Sequence, residues 1–145
     1  MGLYEKFLGI LAYYMVSPYT TYLHKHRGVR FTDASSVFIG SNVTIDRTYP
    51  EFVTIGENVM ISPGTSLIAH SSPPTSMKER FLPAARDEVT IGDNVYVGGD
   101  PTIFPGVTIN DWSVVGAGSV VMKDVPKYKI VAGNPAETIG DLREK

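Results

Sequence analysis

Three histidines are this chain's candidates for moving protons near neutral pH, and their settings differ. His70 stands directly after the apolar run Leu67-Ile68-Ala69 and directly before a segment, 71–88, rich in proline and serine. A neutral imidazole at such a place is well suited to take a proton from a hydroxyl at pH 7. A solvated loop histidine is the plain alternative. His24 and His26 precede any regular pattern and read as solvated. With one histidine inside the patterned region, a metal centre built from several histidines is not expected. Cysteine is absent, so disulfides, thiolate metal ligands and a cysteine acyl-enzyme are excluded. Two carboxylates, Asp46 and Glu51, are candidates for fixing the imidazole tautomer or for holding a hydroxylic substrate.

These side chains must be placed by a scaffold, and the scaffold is periodic. From Ile91 an aliphatic residue returns every sixth position: Ile91, Val97, Ile103, Ile109, Val115, Val121. Ile55, Ile61 and Leu67 keep the same step, as do Ile39 and Ile45. Val37, Val43, Val53, Val59, Val89, Val95 and Val107 each stand two residues before an anchor, which places both on one side of a strand. Gly40, Gly56, Gly92, Gly98 and Gly116 directly follow anchors, as a sharp corner or a close backbone approach requires. A period of six matches neither 3.6 nor 7, so a helix cannot produce it. Three short faces with a corner between them imply a triangular prism of 18 residues per coil, an all-β parallel solenoid.

Two interruptions break the rhythm. The step from Ile45 to Ile55 is ten, four more than the repeat, and the extra chain carries Asp46 and Glu51. The second interruption is the loop 71–88, which follows His70. Asp46 precedes His70 by 24 residues; without the four extra, 20 remain, one coil plus two. Both then fall on the same face of adjacent coils, within hydrogen-bond reach. Ahead of the coils, Leu3, Phe7, Ile10, Leu11 and Tyr14 recur at helical spacing within an apolar stretch that ends at Val16. That stretch is too short to cross a bilayer. It is expected to pack on the body of the protein or on a neighbouring subunit, with contact at a membrane surface the lesser alternative.

The motifs VTIGDNVYVG (89–98), PGVTI (105–109), GAGSVVMKDVP (116–126) and VAGNPA (131–136) resemble the hexapeptide-repeat acyltransferase family, in its sugar and antibiotic O-acetyltransferase (maltose/galactoside acetyltransferase-like) branch. The resemblance implies left-handed coils and acetyl-CoA as co-substrate. It implies that His70, before the extruded loop, is the catalytic base. It adds backbone contacts to the coenzyme from Gly99, Ala117, Met122 and Lys123, beside Gly98 and Gly116, which the 18-residue repeat stacks directly. It also points to a homotrimer. Against the family pattern, Tyr96 replaces a frequent tryptophan, Asp100-Pro101 replaces small residues, and Phe104 fills a usually small position. Glu137 stands where arginine or lysine often meets coenzyme phosphate; Lys123, Lys127, Lys129 and Arg143 are the nearby cations.

The expected organisation is an N-terminal helical segment (1–28), a left-handed parallel β-helix (29–136) with loop 71–88, and a C-terminal tail (137–145). The expected function is transfer of an acetyl group from acetyl-CoA to a hydroxyl of a sugar or polysaccharide precursor, without metal, in the cytoplasm. Asp46 is expected as orienter of His70 or as substrate ligand, with Glu51 its rival and a plain corner aspartate the structural alternative. A solenoid that has lost catalysis and serves as a binding or assembly module is the alternative. A formal net charge of −2 over 145 residues argues against a nucleic-acid partner.

Overall fold

A computed structural model describes the backbone of residues 2–14 and 17–144, and their side chains apart from Glu5 and residues 11–14. Two helices open the chain, α1 (Leu3–Tyr14) and α2 (Tyr19–His26). After them the chain winds through three parallel sheets. The first stacks Arg30–Phe31, Val53–Ile55, Val89–Ile91 and Thr108–Ile109. The second stacks Phe38–Ile39, Met60–Ile61, Tyr96–Val97, Val114–Val115 and Lys129–Gly133. The third stacks Thr44–Ile45, Ser66–Leu67, Thr102–Ile103 and Val120–Val121. Each strand is followed by one in the next sheet, so three strands complete a coil. This is the parallel three-sheet arrangement of the left-handed β-helix.

The register is the one the period demands. Tyr96 lies beside Val114, Thr102 beside Val120 and Thr90 beside Thr108, each pair 18 residues apart. The anchors fill the prism: Ile39, Ile55, Ile61, Leu67, Val97, Ile103, Ile109 and Val115 are completely buried. The valines two positions earlier join the same core. Each such side chain contributes about 1.5–3 kcal/mol on leaving water, which lets a coil of so few residues hold together.

Two different devices make the corners. The small residue after an anchor answers close approach: a Cβ at Gly98 would stand 2.8 Å from the Ala117 amide nitrogen. Positive φ falls two positions later, at Asn42, Asn58, Asn94, Asp100 and Trp112 as well as at Gly64, Gly106 and Gly118. Asparagine and aspartate enter this region more readily than other side chains, so their recurrence at the third residue past an anchor has a backbone cause.

The structure adds to the sequence reading in four places. Of the apolar stripe of α1, Leu3, Phe7 and Ile10 are exposed in the single chain, whereas Leu8 packs on Leu23 of α2. Leu11, Tyr14 and Val16 lie outside the described side chains. His24, read as solvated, is buried; its Nδ1 faces Arg27 Nη1 at 3.0 Å. Loop 71–88 is ordered, with a short helix α3 (Thr75–Arg80) and a two-stranded antiparallel clasp of His70–Ser71 on Ala85–Arg86. Residues 137–141, set apart as a tail, belong to the strand Ala136–Asp141, which pairs antiparallel with Lys129–Gly133 and caps the second sheet. Hairpin closure covers a sheet edge that would otherwise stay open.

Candidate active site

His70 begins the clasp at the root of the extruded loop, opposite Arg86. Its Nδ1 is 2.6 Å from Asp46 Oδ2. The coil geometry makes this contact: the Asp46 amide donates to Leu67 O on the next coil, which aligns the two segments. The carboxylate of Asp46 is buried and fully engaged. Oδ1 accepts from the amides of Thr48 and Tyr49, and Oδ2 also accepts from the amide of Ala69. Burial pushes this carboxyl up, but hydrogen bonds from Tyr49, His70, Ala69 and Thr48 together outweigh burial and hold its pKa below the usual carboxylate value. An ionised Asp46 can only accept, so His70 Nδ1 donates to it, and Nε2 is the ring nitrogen that Asp46 does not engage. The four inserted residues therefore have a purpose: Asp46 to Tyr49 wraps its own carboxylate.

Around His70 lies a pocket of about 270 Å³ lined by Tyr49, Ser71, Ser72, Ala84, Ala85 and Arg86. Tyr49 meets the imidazole edge-on, with ring centroids 5.2 Å apart. Sequence reasoning passed over Tyr49 and Arg86. The signal for Tyr49 was its place in the insertion beside Asp46; for Arg86 it was its place at the far end of the loop His70 opens. Glu51 is not brought to this site. It lies exposed in the turn Pro50–Phe52, with its backbone against Gly28, and makes no hydrogen bond to His70 among the described residues. Among the described residues no cluster of side chains suited to a metal ion occurs.

The glycines expected to meet the coenzyme form a second surface. Gly98 and Gly99 stack on Gly116, Ala117 and Gly118, with the Gly118 amide donating to Gly99 O at 2.8 Å. Gly98 and Gly116 are required by the coil, since a Cβ on either would come within 2.8 Å of the next coil. Gly99 is not: a Cβ there would meet Pro63 O at an ordinary 3.7 Å. The amides of Gly99 and Ala117 have no acceptor among the described residues. Ala117 is exposed on this edge, whereas Met122 and Lys123 are exposed at the next corner, after the third-sheet strand Val120–Val121.

The departures from the family pattern have structural causes. Asp100 adopts φ +59° at a corner, and its side chain lies over Gly64. Pro101 is buried and Phe104 packs on the core. Of the four cations near Glu137, Lys129 and Arg143 are committed to Asp141 at 2.9 and 2.6 Å, and Lys127 stands 3.8 Å from Asp111. Lys123 has no acidic partner among the described residues, and it lines a pocket with Met122, Pro135, Ala136 and Glu137.

Comparisons with known proteins agree with this construction. Residues 88–123 match the family model described as the hexapeptide repeat of succinyl-transferase. A galactoside acetyltransferase solved in complex with coenzyme A superposes with a TM-score of 0.71 at 31% identity, over 97% of this chain and 80% of that one. The chain belongs to the hexapeptide-repeat acetyltransferase family, in its galactoside/maltose O-acetyltransferase-like branch. Within that family, galactoside O-acetyltransferase of Escherichia coli K12 is 37% identical over 123 residues, 81% of this chain and 60% of the relative. The chain thus spans about 60% of the length of that curated hexapeptide-repeat relative. A hexapeptide-repeat acetyltransferase of Vibrio cholerae, solved with acetyl coenzyme A, is 26% identical with a TM-score of 0.69, over 95% of this chain and 85% of that chain.

Proposed function

We propose that this chain is an acetyl-CoA-dependent O-acetyltransferase acting on a sugar hydroxyl, with His70 as the general base. The observation that carries the reading is the 2.6 Å contact between His70 Nδ1 and the buried Asp46 carboxylate, beside a pocket. Nε2 takes the proton of the acceptor hydroxyl as its oxygen attacks the thioester carbonyl. A C–O bond forms, the C–S bond breaks, and the departing thiolate recovers the proton from His70. A backbone amide at Gly99 meets the charge developing on the carbonyl oxygen. Gly98, Gly99, Gly116, Ala117, Met122 and Lys123 hold the coenzyme; the space a Cβ would leave unhindered at Gly99 supports this, because the coil does not need glycine there. The named acceptors and ligands of the relatives support a sugar and acetyl-CoA.

The working unit is a homotrimer with sites shared between chains. Within one chain the Gly98–Gly99 edge precedes the third sheet and His70 follows it, so a sheet's width separates them, roughly 15 Å at about 3.3 Å per residue. A neighbouring copy brings a second donor edge to His70. The outward rows of the sheets support a choice of face. The first sheet presents Arg30, Thr54, Thr90 and Thr108, and the third Thr44, Ser66, Thr102 and Val120. The second presents Phe38, Met60, Tyr96, Val114 and Ile130. Phe38, Met60 and Tyr96 are 42–47% exposed in the single chain, an apolar row on one flat face of the prism.

Release of free thiol from acetyl-CoA across a panel of sugars tests the activity. Glu137 and the commitment of Lys127, Lys129 and Arg143 favour a second reading, a coil that binds partners without catalysis. Calorimetry with acetyl-CoA alone separates the two: no heat of binding at millimolar coenzyme would favour the second.

A further inference from the structure

The pocket beside His70 holds a cation that the proton-transfer chemistry does not use. Arg86 is directly opposite His70 in the clasp, so the backbone that carries the base also carries this guanidinium. It lines the same 270 Å³ pocket. Its carbon lies 4.8 Å above the Tyr49 ring and 5.2 Å from the centre of Phe52. Tyr49 in turn rests edge-on against His70. Arg86, Tyr49 and His70 thus form one continuous packed arrangement.

The nearby carboxylates are all engaged elsewhere. Asp46 is saturated by His70 and three amides. Glu88 pairs with Arg30 at 2.6 Å. Asp87 Oδ1 accepts from the Glu88 amide and its Oδ2 lies towards Gly106. Arg86 therefore has aromatic rings on its face and no anionic partner among the described residues. A guanidinium seated over rings keeps its N–H edge available, and that edge matches the two oxygens of a carboxylate or phosphate. Packing against Tyr49 and Phe52 removes much of the rotamer freedom a surface arginine would lose on binding.

We infer that the acceptor is an anionic saccharide, whose carboxylate or phosphate is read by Arg86 while the hydroxyl to be acetylated lies at His70. Arg86 is thereby the specificity-determining residue of the site. This rests on the proposed transferase reading for the word acceptor, but the recognition itself does not need turnover. Coenzyme phosphate is the other source of the same chemistry, and it predicts a different response.

Ligand-observed NMR titration without coenzyme, on wild type and on Arg86→Gln, provides the test. The probes are glucuronate against glucose, glucose 6-phosphate against glucose, and acetyl-CoA by itself. Wild type should bind at least one charged sugar about 10-fold or more tightly than glucose, and Arg86→Gln should erase that difference while leaving glucose within about threefold. Arg86→Lys should restore part of it, since charge returns without the planar fork. Equal binding of charged and neutral sugars by wild type would overturn the inference. So would an Arg86→Gln variant that weakens acetyl-CoA alone, which would assign Arg86 to the coenzyme. Loss of all sugars equally would make Arg86 a prop for Tyr49, and that also overturns it. Thiol release measured in parallel reports on the transferase reading separately: binding preference without turnover would leave anion recognition standing and remove the catalysis.

Discussion

The pairing of His70 with Asp46 sets the chemistry this site can perform. Asp46 is held ionised by three amides as well as by the imidazole, so its charge persists below the usual carboxylate range. His70→Ala should lower acetyl transfer by about 10²–10⁴-fold while the melting temperature stays near wild type. Asp46→Asn should cost at least about 10-fold by loosening the tautomer preference, without moving the KM for acetyl-CoA. Steady-state kinetics on both variants checks this; a His70→Ala enzyme within threefold of wild type would remove the histidine from the mechanism.

Neighbouring glycines offer a second comparison at this scale. Gly98→Ala places a Cβ 2.8 Å from a backbone nitrogen of the next coil, whereas Gly99→Ala meets only a 3.7 Å contact. The first should destabilise the fold by about 1–3 kcal/mol. The second should leave urea unfolding unchanged and weaken acetyl-CoA binding. If Gly99→Ala binds the coenzyme as wild type does, the donor edge has been misplaced.

At the scale of elements, the N-terminal helices carry a pH response of their own. His24 of α2 is buried, and Arg27, which can only donate, faces its Nδ1; the imidazole is therefore neutral with its proton on Nε2. Burial first, and the Arg27 charge second, lower its pKa from 6.5 to about 3. In the unfolded chain the ring takes up a proton below 6.5, while in the folded chain it resists until about 3. The unfolded state then binds more protons across that window, so this contribution to stability is complete above pH 6.5 and is lost as pH falls towards 3. The slope should approach about 1.4 kcal/mol per pH unit at most. Urea unfolding between pH 6.5 and 5 should show this decline in wild type and a flatter profile in His24→Gln. Equal slopes would mean that His24 is solvated.

Arg27 ties that helix to the candidate site. Its Nη2 donates to Asp46 O at 3.1 Å and its Nη1 to Ile45 O at 3.3 Å, so α2 holds the peptide from which the Asp46 carboxylate springs. The insertion, the clasp and α2 are three separate stretches of chain that meet at one residue, Asp46. Each deviates from the repeat, and the repeat keeps them in register.

For the whole molecule, the test is assembly. Sedimentation equilibrium should give about three times the 15.8 kDa of the chain. A charge placed on the apolar row, as in Tyr96→Asp, should shift the mass towards one chain, because an unpaired carboxylate in a buried interface is costly. A variant that stays trimeric would move the interface off the second sheet. Mixing inactive His70→Ala with inactive Ala117→Trp should restore part of the activity in mixed trimers, since one interface then pairs an intact base with an intact donor edge.

The amino-acid sequence by itself determined the solenoid. An aliphatic residue every sixth position leaves a parallel coil as the only economical way to bury those anchors, and the 18-residue register follows from counting. The same counting placed Asp46 beside His70, because a rigid repeat converts sequence distance into spatial distance. Only the tertiary structure decided what lies off the repeat. The burial of His24 on α2, the strand at 136–141, and the position of Arg86 over Tyr49 depend on contacts between segments with no common period. A repeat specifies its neighbours through local spacing, but an excursion from it is placed by whatever surface it meets, and that surface exists only once the coils have stacked.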